Sequence, residues 1–115
     1  MPQAPSDFAT FEANATKVAG LLKALANERR LMILCKLVEW GEANVGTLAD
    51  AVDLSQSALS QHLAKMREEK LVTFRRESQT LWYRVSDPRT ETLLGQLQQL
   101  YCSPVAASRK KPAKT

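Results

Sequence analysis

Cys35 and Cys102 are the two thiols of this chain, 67 residues apart. Cys35 sits within the apolar run LMILCKLVEW, residues 31–40, and Cys102 closes LQQLYC, residues 97–102, so each borders an apolar surface. A thiolate attacks sulfur, ligates soft metals or pairs as a disulfide. In a reducing compartment a permanent structural staple is disfavoured, which leaves buried inert thiols, metal ligands or a redox device. A second group of polar side chains lies in TLADAVDLSQSALSQHL, residues 47–63, and just beyond. At helical spacing its outward positions are Gln56, Ser57, Ser60, Gln61, Lys65 and Arg67, with His62 beside them. Gln, Ser, Lys and Arg are donors suited to base edges and phosphates, and a capped helix N-terminus favours an anion.

These groups need elements to hold them. Phe8, Phe11, Ala15, Val18, Leu22 and Leu25 recur at spacings of three and four and predict a first helix with one apolar stripe. Asn27 is a good N-cap for a second, which carries Leu31, Leu34, Cys35 and Val38 and stops at Gly41. A short third helix covers about Val45 to Val52. Ser55 caps a fourth that runs to about Glu69, with Leu59, Leu63 and Met66 on its inner face. VTFRRE and TLWYRV are β-prone runs joined by Ser78-Gln79, a hairpin pattern. Asp87-Pro88 opens a last helix with Leu93, Leu94, Leu97, Leu100 and Tyr101 as its apolar positions. The order is α-α-α-α-β-β-α, mainly α with one hairpin.

The third and fourth helices have the spacing of a helix-turn-helix. Ala49 is the small residue at the crossing, Asp53 stands four positions later in the turn, and Leu59 returns to the core. Glycine is usual in the turn, but aspartate tolerates left-handed backbone better than most residues. The hairpin that follows carries Arg75 and Arg76 near its tip, placed to reach DNA phosphates or the minor groove. The combination is a winged helix-turn-helix, and it makes double-stranded DNA the expected partner.

Charge supports this locally. The formal net charge of +4 comes from the end of the chain, where Arg109, Lys110, Lys111 and Lys114 stand without acids. Within the remainder, residues 54–85 hold six basic and three acidic groups, whereas residues 1–53 hold five and seven. Residues 1–7 and the basic stretch 103–115 are expected to be disordered around a domain at 8–102. MPQAPSDF has no signal-peptide pattern and no apolar run approaches a membrane span, so a cytoplasmic protein without membrane contact is expected. With one histidine, on the DNA-facing helix, no carboxylate constellation and no Gly-rich phosphate loop, the sequence does not read as an enzyme and implies no cofactor.

LLKALANERRLMILCKL, LSQSALSQHLAKMREEKLV and RRESQTLWYRV together resemble the ArsR/SmtB family of bacterial repressors over about residues 10–102. The resemblance implies a homodimer joined through the first and last helices, and an operator that is an imperfect inverted repeat. Many members bind metal through Cys-x-Cys at the start of the third helix, where this chain has Ala43, Asn44, Val45 and Gly46. Others use Asp and His on the last helix; Asp87 is present, but Arg89 replaces the histidine. A metal site is therefore not expected, and a metal-sensing repressor is the least favoured reading.

Cys35 and Cys102 match a subgroup that senses sulfide and persulfides, in which one cysteine lies in the second helix and the other at the end of the last. The resemblance thus implies a repressor whose operator is released when persulfides or polysulfides bridge Cys35 and Cys102. A direct disulfide requires Cα atoms about 4.4–6.8 Å apart, and a wider gap would need inserted sulfurs. The alternative is a general redox regulator, or a virulence regulator that acts by displacing another repressor. Arg29 and Arg30 are candidates for lowering the pKa of Cys35.

Overall fold

The computed structural model describes residues 5–101, with side chains from Asp7 onward. The chain divides after Leu31 into two compact units.

In the N-terminal unit, α1 (Pro5–Ala13) and α2 (Ala15–Leu25) occupy the stretch expected to be one helix. The break is Asn14, whose side-chain amide donates to Thr10 O at 3.0 Å while its N–H is shared between Thr10 O and Phe11 O. This local bonding competes with the helical ladder, as asparagine commonly does. The Asn14 carbonyl already accepts Val18 N–H at 3.0 Å, so α2 begins at once. Pro5, Ser6 and Asp7, assigned by composition to the terminus, form the first turn of α1. Of the expected apolar stripe, Leu25 is buried, whereas Phe8, Phe11 and Leu22 stand more than half exposed. Asn27 caps the next helix, its Oδ1 accepting Arg30 N–H at 3.0 Å.

That helix, α3 (Glu28–Trp40), enters the second unit and buries Ile33, Leu34 and Leu37. It ends at Gly41, whose φ of 85° is a conformation glycine adopts without strain. Next come α4 (Val45–Ala51) and α5 (Gln56–Glu68). Asn44 and Ser55 cap them, accepting Thr47 N–H at 2.9 Å and Ala58 N–H at 3.0 Å. Leu48, Ala49, Leu59, Leu63 and Met66 form the buried seam of this pair, as the spacing predicts. Asp53 has φ 58°, the left-handed geometry expected of the turn.

Strands β1 (Val72–Glu77) and β2 (Thr80–Val85) pair antiparallel, from Val72 opposite Val85 to Glu77 opposite Thr80. The turn falls at Ser78-Gln79, with Ser78 at φ 57°. On the other edge of β2, Ala43 and Tyr83 exchange both backbone hydrogen bonds, at 3.0 and 2.8 Å. The segment before α4 is thereby stitched to the wing. Last is α6 (Pro88–Tyr101), with Asp87 Oδ1 accepting Arg89 N–H at 2.8 Å and proline in the first turn. Leu94 is fully buried, while Leu100 and Tyr101 are 73% and 86% exposed. The fold is mainly α with a β-hairpin wing, the expected first helix being two.

Candidate nucleic-acid interface and thiol site

Burial of Leu59, Leu63 and Met66 turns the opposite side of α5 outward. Gln56, Ser57, Ser60, Gln61, Lys65 and Arg67 are all exposed, and His62 is half-buried at the edge of the face. The helix starts at the Ser55 cap, so its first free N–H groups lie beside Gln56 and Ser57. Arg67 packs over the Phe74 ring at 4.5 Å, and Phe74 meets Tyr83 edge to face at 5.3 Å, so the end of α5 is tied to the base of the wing. The expected polar face is thus assembled on one element, with the wing next to it.

The two wing arginines differ. Arg75 Nε and Nη2 donate to the two carboxylate oxygens of Glu42 at 3.0 and 2.7 Å, and Nη1 donates to Glu77 at 3.3 Å. Its guanidinium also lies 5.7 Å from the centre of the Trp82 ring. Glu42 is held below the usual carboxylate range, first by the Arg75 hydrogen bonds and further by the charges of Arg75 and Arg84. Arg76 is exposed and has no ion pair among the described residues. Glu42 was invisible to sequence reading because it meets Arg75 across 33 residues, through the Ala43–Tyr83 bridge that sets them close.

Cys35, a free thiol, is half-buried on α3. Gln98 of α6 donates from Nε2 to the Cys35 carbonyl at 3.1 Å, and its side chain also hydrogen-bonds the thiol. Burial pushes the thiol up from its ordinary pKa, and the Gln98 bond pulls it partly back. Arg29 and Arg30, the candidates for lowering it, are not among the causes of the shift; the lowering influence is the Gln98 amide. Gln98 had a signal in the sequence, since it stands four positions after the buried Leu94, a polar residue on an apolar helix face. Cys102 lies outside the described residues. Among the described residues no group of three or more His, Cys, Asp or Glu side chains is placed to hold a metal ion. None of their helices is long and apolar enough to cross a membrane.

The profile of the bacterial regulatory protein, arsR family matches residues 27–73, from the α3 cap into the wing. The transcriptional activator HlyU of Vibrio cholerae is 48% identical over 99 residues, which are 86% of this chain and 91% of HlyU. A solved structure of reduced HlyU from the same organism superposes with a TM-score of 0.73 at 48% identity, covering 82% of this chain and 98% of that one. The transcriptional repressor BigR of Xylella fastidiosa superposes at 0.73 with 36% identity, covering 88% and 99%. A recognition helix with an open polar face, a wing and relatives matched over nearly their full length agree: the chain belongs to the ArsR family, DNA-binding transcriptional regulators and not enzymes.

Proposed function

We propose that this chain is a cytoplasmic, homodimeric repressor that releases its operator when persulfides or polysulfides link Cys35 to Cys102. The observation that carries the reading is the Gln98 hydrogen bond to Cys35, which joins α3 to α6 four residues before Cys102 in the sequence. A bridge between the cysteines would add a covalent tie between elements already in contact. HlyU, solved in a form described as reduced, and BigR are compatible relatives.

In the chemistry proposed, one cysteine thiolate attacks the outer sulfur of a persulfide, becomes a persulfide itself and expels the donor thiolate. A second persulfide can add one more sulfur and expel its own thiolate, giving Cys–S–S–SH; the other thiolate then attacks the middle sulfur and expels hydrosulfide, leaving a trisulfide, whereas closure after a single addition leaves a disulfide. Burial of Cys35 raises its pKa, which lowers its thiolate fraction and slows any step in which it is the attacking group.

DNA contact is assigned to Gln56, Ser57, Ser60, Gln61, His62, Lys65 and Arg67 on α5, with the Arg75 and Arg76 wing beside them. In the proposed dimer two such faces meet half-sites of an inverted repeat about 34 Å apart, so a shift in dimer geometry abolishes binding. The exposed Phe8 and Phe11 of α1 and Leu100 and Tyr101 of α6 support an association surface on each of these helices.

The test is the mass of the non-reduced protein after a persulfide donor and, separately, hydrogen peroxide. A Cys35–Cys102 link carrying added sulfur, formed only with the persulfide, is expected. The same plain disulfide from both oxidants makes the protein a general redox regulator, and no link at all removes the switch. A second mode, activation by displacing another repressor, is favoured by the likeness to HlyU, named a transcriptional activator. Transcription from a shared promoter with and without a competing repressor separates the two.

A further inference from the structure

We propose that the two adjacent wing arginines have divided roles: Arg75 is an internal strut that fixes the wing through Glu42, and Arg76 is the guanidinium that meets a DNA phosphate. The inference rests on the DNA-binding reading and replaces the view of Arg75-Arg76 as one basic pair.

Strand geometry separates them first. Successive side chains of β1 point to opposite faces, so Arg75 shares a face with Thr73 and Glu77 and with its cross-strand partner Trp82. Arg76 shares the other face with Val72 and Phe74, and Phe74 is the ring on which Arg67 of α5 lies. The Arg76 side of the hairpin is therefore the side that meets the recognition helix.

Donor use separates them again. A guanidinium has five N–H donors on three nitrogens, and in Arg75 all three nitrogens are engaged, with Glu42 twice and Glu77 once. The bidentate pair matches fork to carboxylate, and the ring of Trp82 supports it. Glu42 and Glu77 thus offset the charge of Arg75 and occupy its donors, which leaves it little with which to hold a phosphate. Arg76 has no such partner among the described residues and keeps its donors for a ligand.

Operator binding by phosphates is read by salt: each phosphate contact contributes about 0.9 to the slope of log K against log salt on duplex DNA. The experiment measures that slope for the full chain on a mixed-sequence duplex of about 30 base pairs, long enough for two half-sites. Arg76→Gln is expected to flatten the slope by about 0.9 per chain. Arg75→Gln should leave the slope as in the parent, even where overall affinity falls because the wing is looser. Glu42→Gln covers the case in which Arg75→Gln disrupts the hairpin, since it frees Arg75 without removing its charge. Under the strut assignment the released Arg75 becomes available to a phosphate, so Glu42→Gln steepens the slope. A flatter slope in Arg75→Gln, an unchanged one in Glu42→Gln, or an unchanged one in Arg76→Gln overturns the division. A parent protein with no salt-dependent duplex binding would instead overturn the DNA-binding reading itself.

Discussion

At the scale of single residues, burial and hydrogen bonding decide what a side chain can do, and Cys35 is the clearest case. Its thiol is raised by desolvation, so at neutral pH it is mostly protonated, and only thiolate reacts. In a Cys102→Ser variant, alkylation of Cys35 by iodoacetamide should be slower than that of a free thiol at neutral pH, and its rate should rise with a midpoint above the ordinary cysteine value. Gln98→Leu should move that midpoint higher still, because it deletes the bond that favours the thiolate; an unmoved midpoint would show that Gln98 acts on the backbone alone. The sign for stability follows. A group whose folded pKa is raised contributes fully below its ordinary value, and the contribution is lost as pH rises through the raised one. Trp82 makes a different point. Its indole N–H is buried without a hydrogen-bond partner among the described residues, and such an orphan donor costs about 1–3 kcal/mol. Trp82→Phe removes the orphan along with some ring volume, and the two effects oppose each other. The net change in unfolding free energy by urea titration should stay within about 1 kcal/mol, below the usual cost of truncating a packed aromatic.

At the scale of elements, α4 and α5 stop by the same device. After α4, Leu54 N–H bonds Ala49 O at 3.0 Å and Asp53 N–H bonds Asp50 O at 3.4 Å; after α5, Leu71 N–H bonds Met66 O at 2.8 Å and Lys70 N–H bonds Arg67 O at 3.0 Å. Both are Schellman closures, with Asp53 at φ 58° and Lys70 at φ 66° in the position that glycine prefers. A lysine there carries the left-handed penalty of about 1–2 kcal/mol, partly offset by the greater unfolded-state freedom of glycine. Lys70→Gly should therefore stabilise the protein by up to about 1 kcal/mol in thermal or urea unfolding, and Asp53→Gly by less, since aspartate tolerates this region. Gly41→Ala should go the opposite way, because φ 85° strains any side chain. Asp53 was legible in the sequence because the helix-turn-helix spacing demands a turn residue at that place. Lys70 was not, because nothing in REEKLV marks a left-handed lysine, and the helix stop is set by Leu71 dropping into the core.

At the scale of the whole molecule, what could be read in advance was local or periodic, and what could not was long-range. Leu59, Leu63 and Met66 follow a helical period, and all three are fully buried. The cap at Ser55, the hairpin turn at Ser78 and the polar face of α5 each depend on a few neighbouring residues, and each stands where the sequence put it. The pairing of Glu42 with Arg75 joins residues far apart in sequence, and no pattern within either segment announces it; Gln98 stands out as a polar residue on an apolar helix face, but nothing near it names Cys35 as its partner. The stripe of α1 and α2 is an instructive middle case. Its period is real, yet Phe8 and Phe11 remain exposed, 66% and 54%, because periodicity marks a face for burial without saying what buries it. Exposed phenylalanines one helical turn apart are costly to leave in water, at about 25 cal/mol for each Å². A second copy of the chain is the occupant proposed for them. Phe8→Glu with Phe11→Glu should then shift the protein from dimer to monomer in analytical ultracentrifugation at micromolar concentration, while circular dichroism keeps the helical signal of α3 to α6. Operator affinity should fall by far more than affinity for a single half-site, because only the dimer spans two sites one helical turn apart. An unchanged dimer would move the association surface away from α1, and an equal loss on both DNAs would place the damage in the DNA-reading face itself.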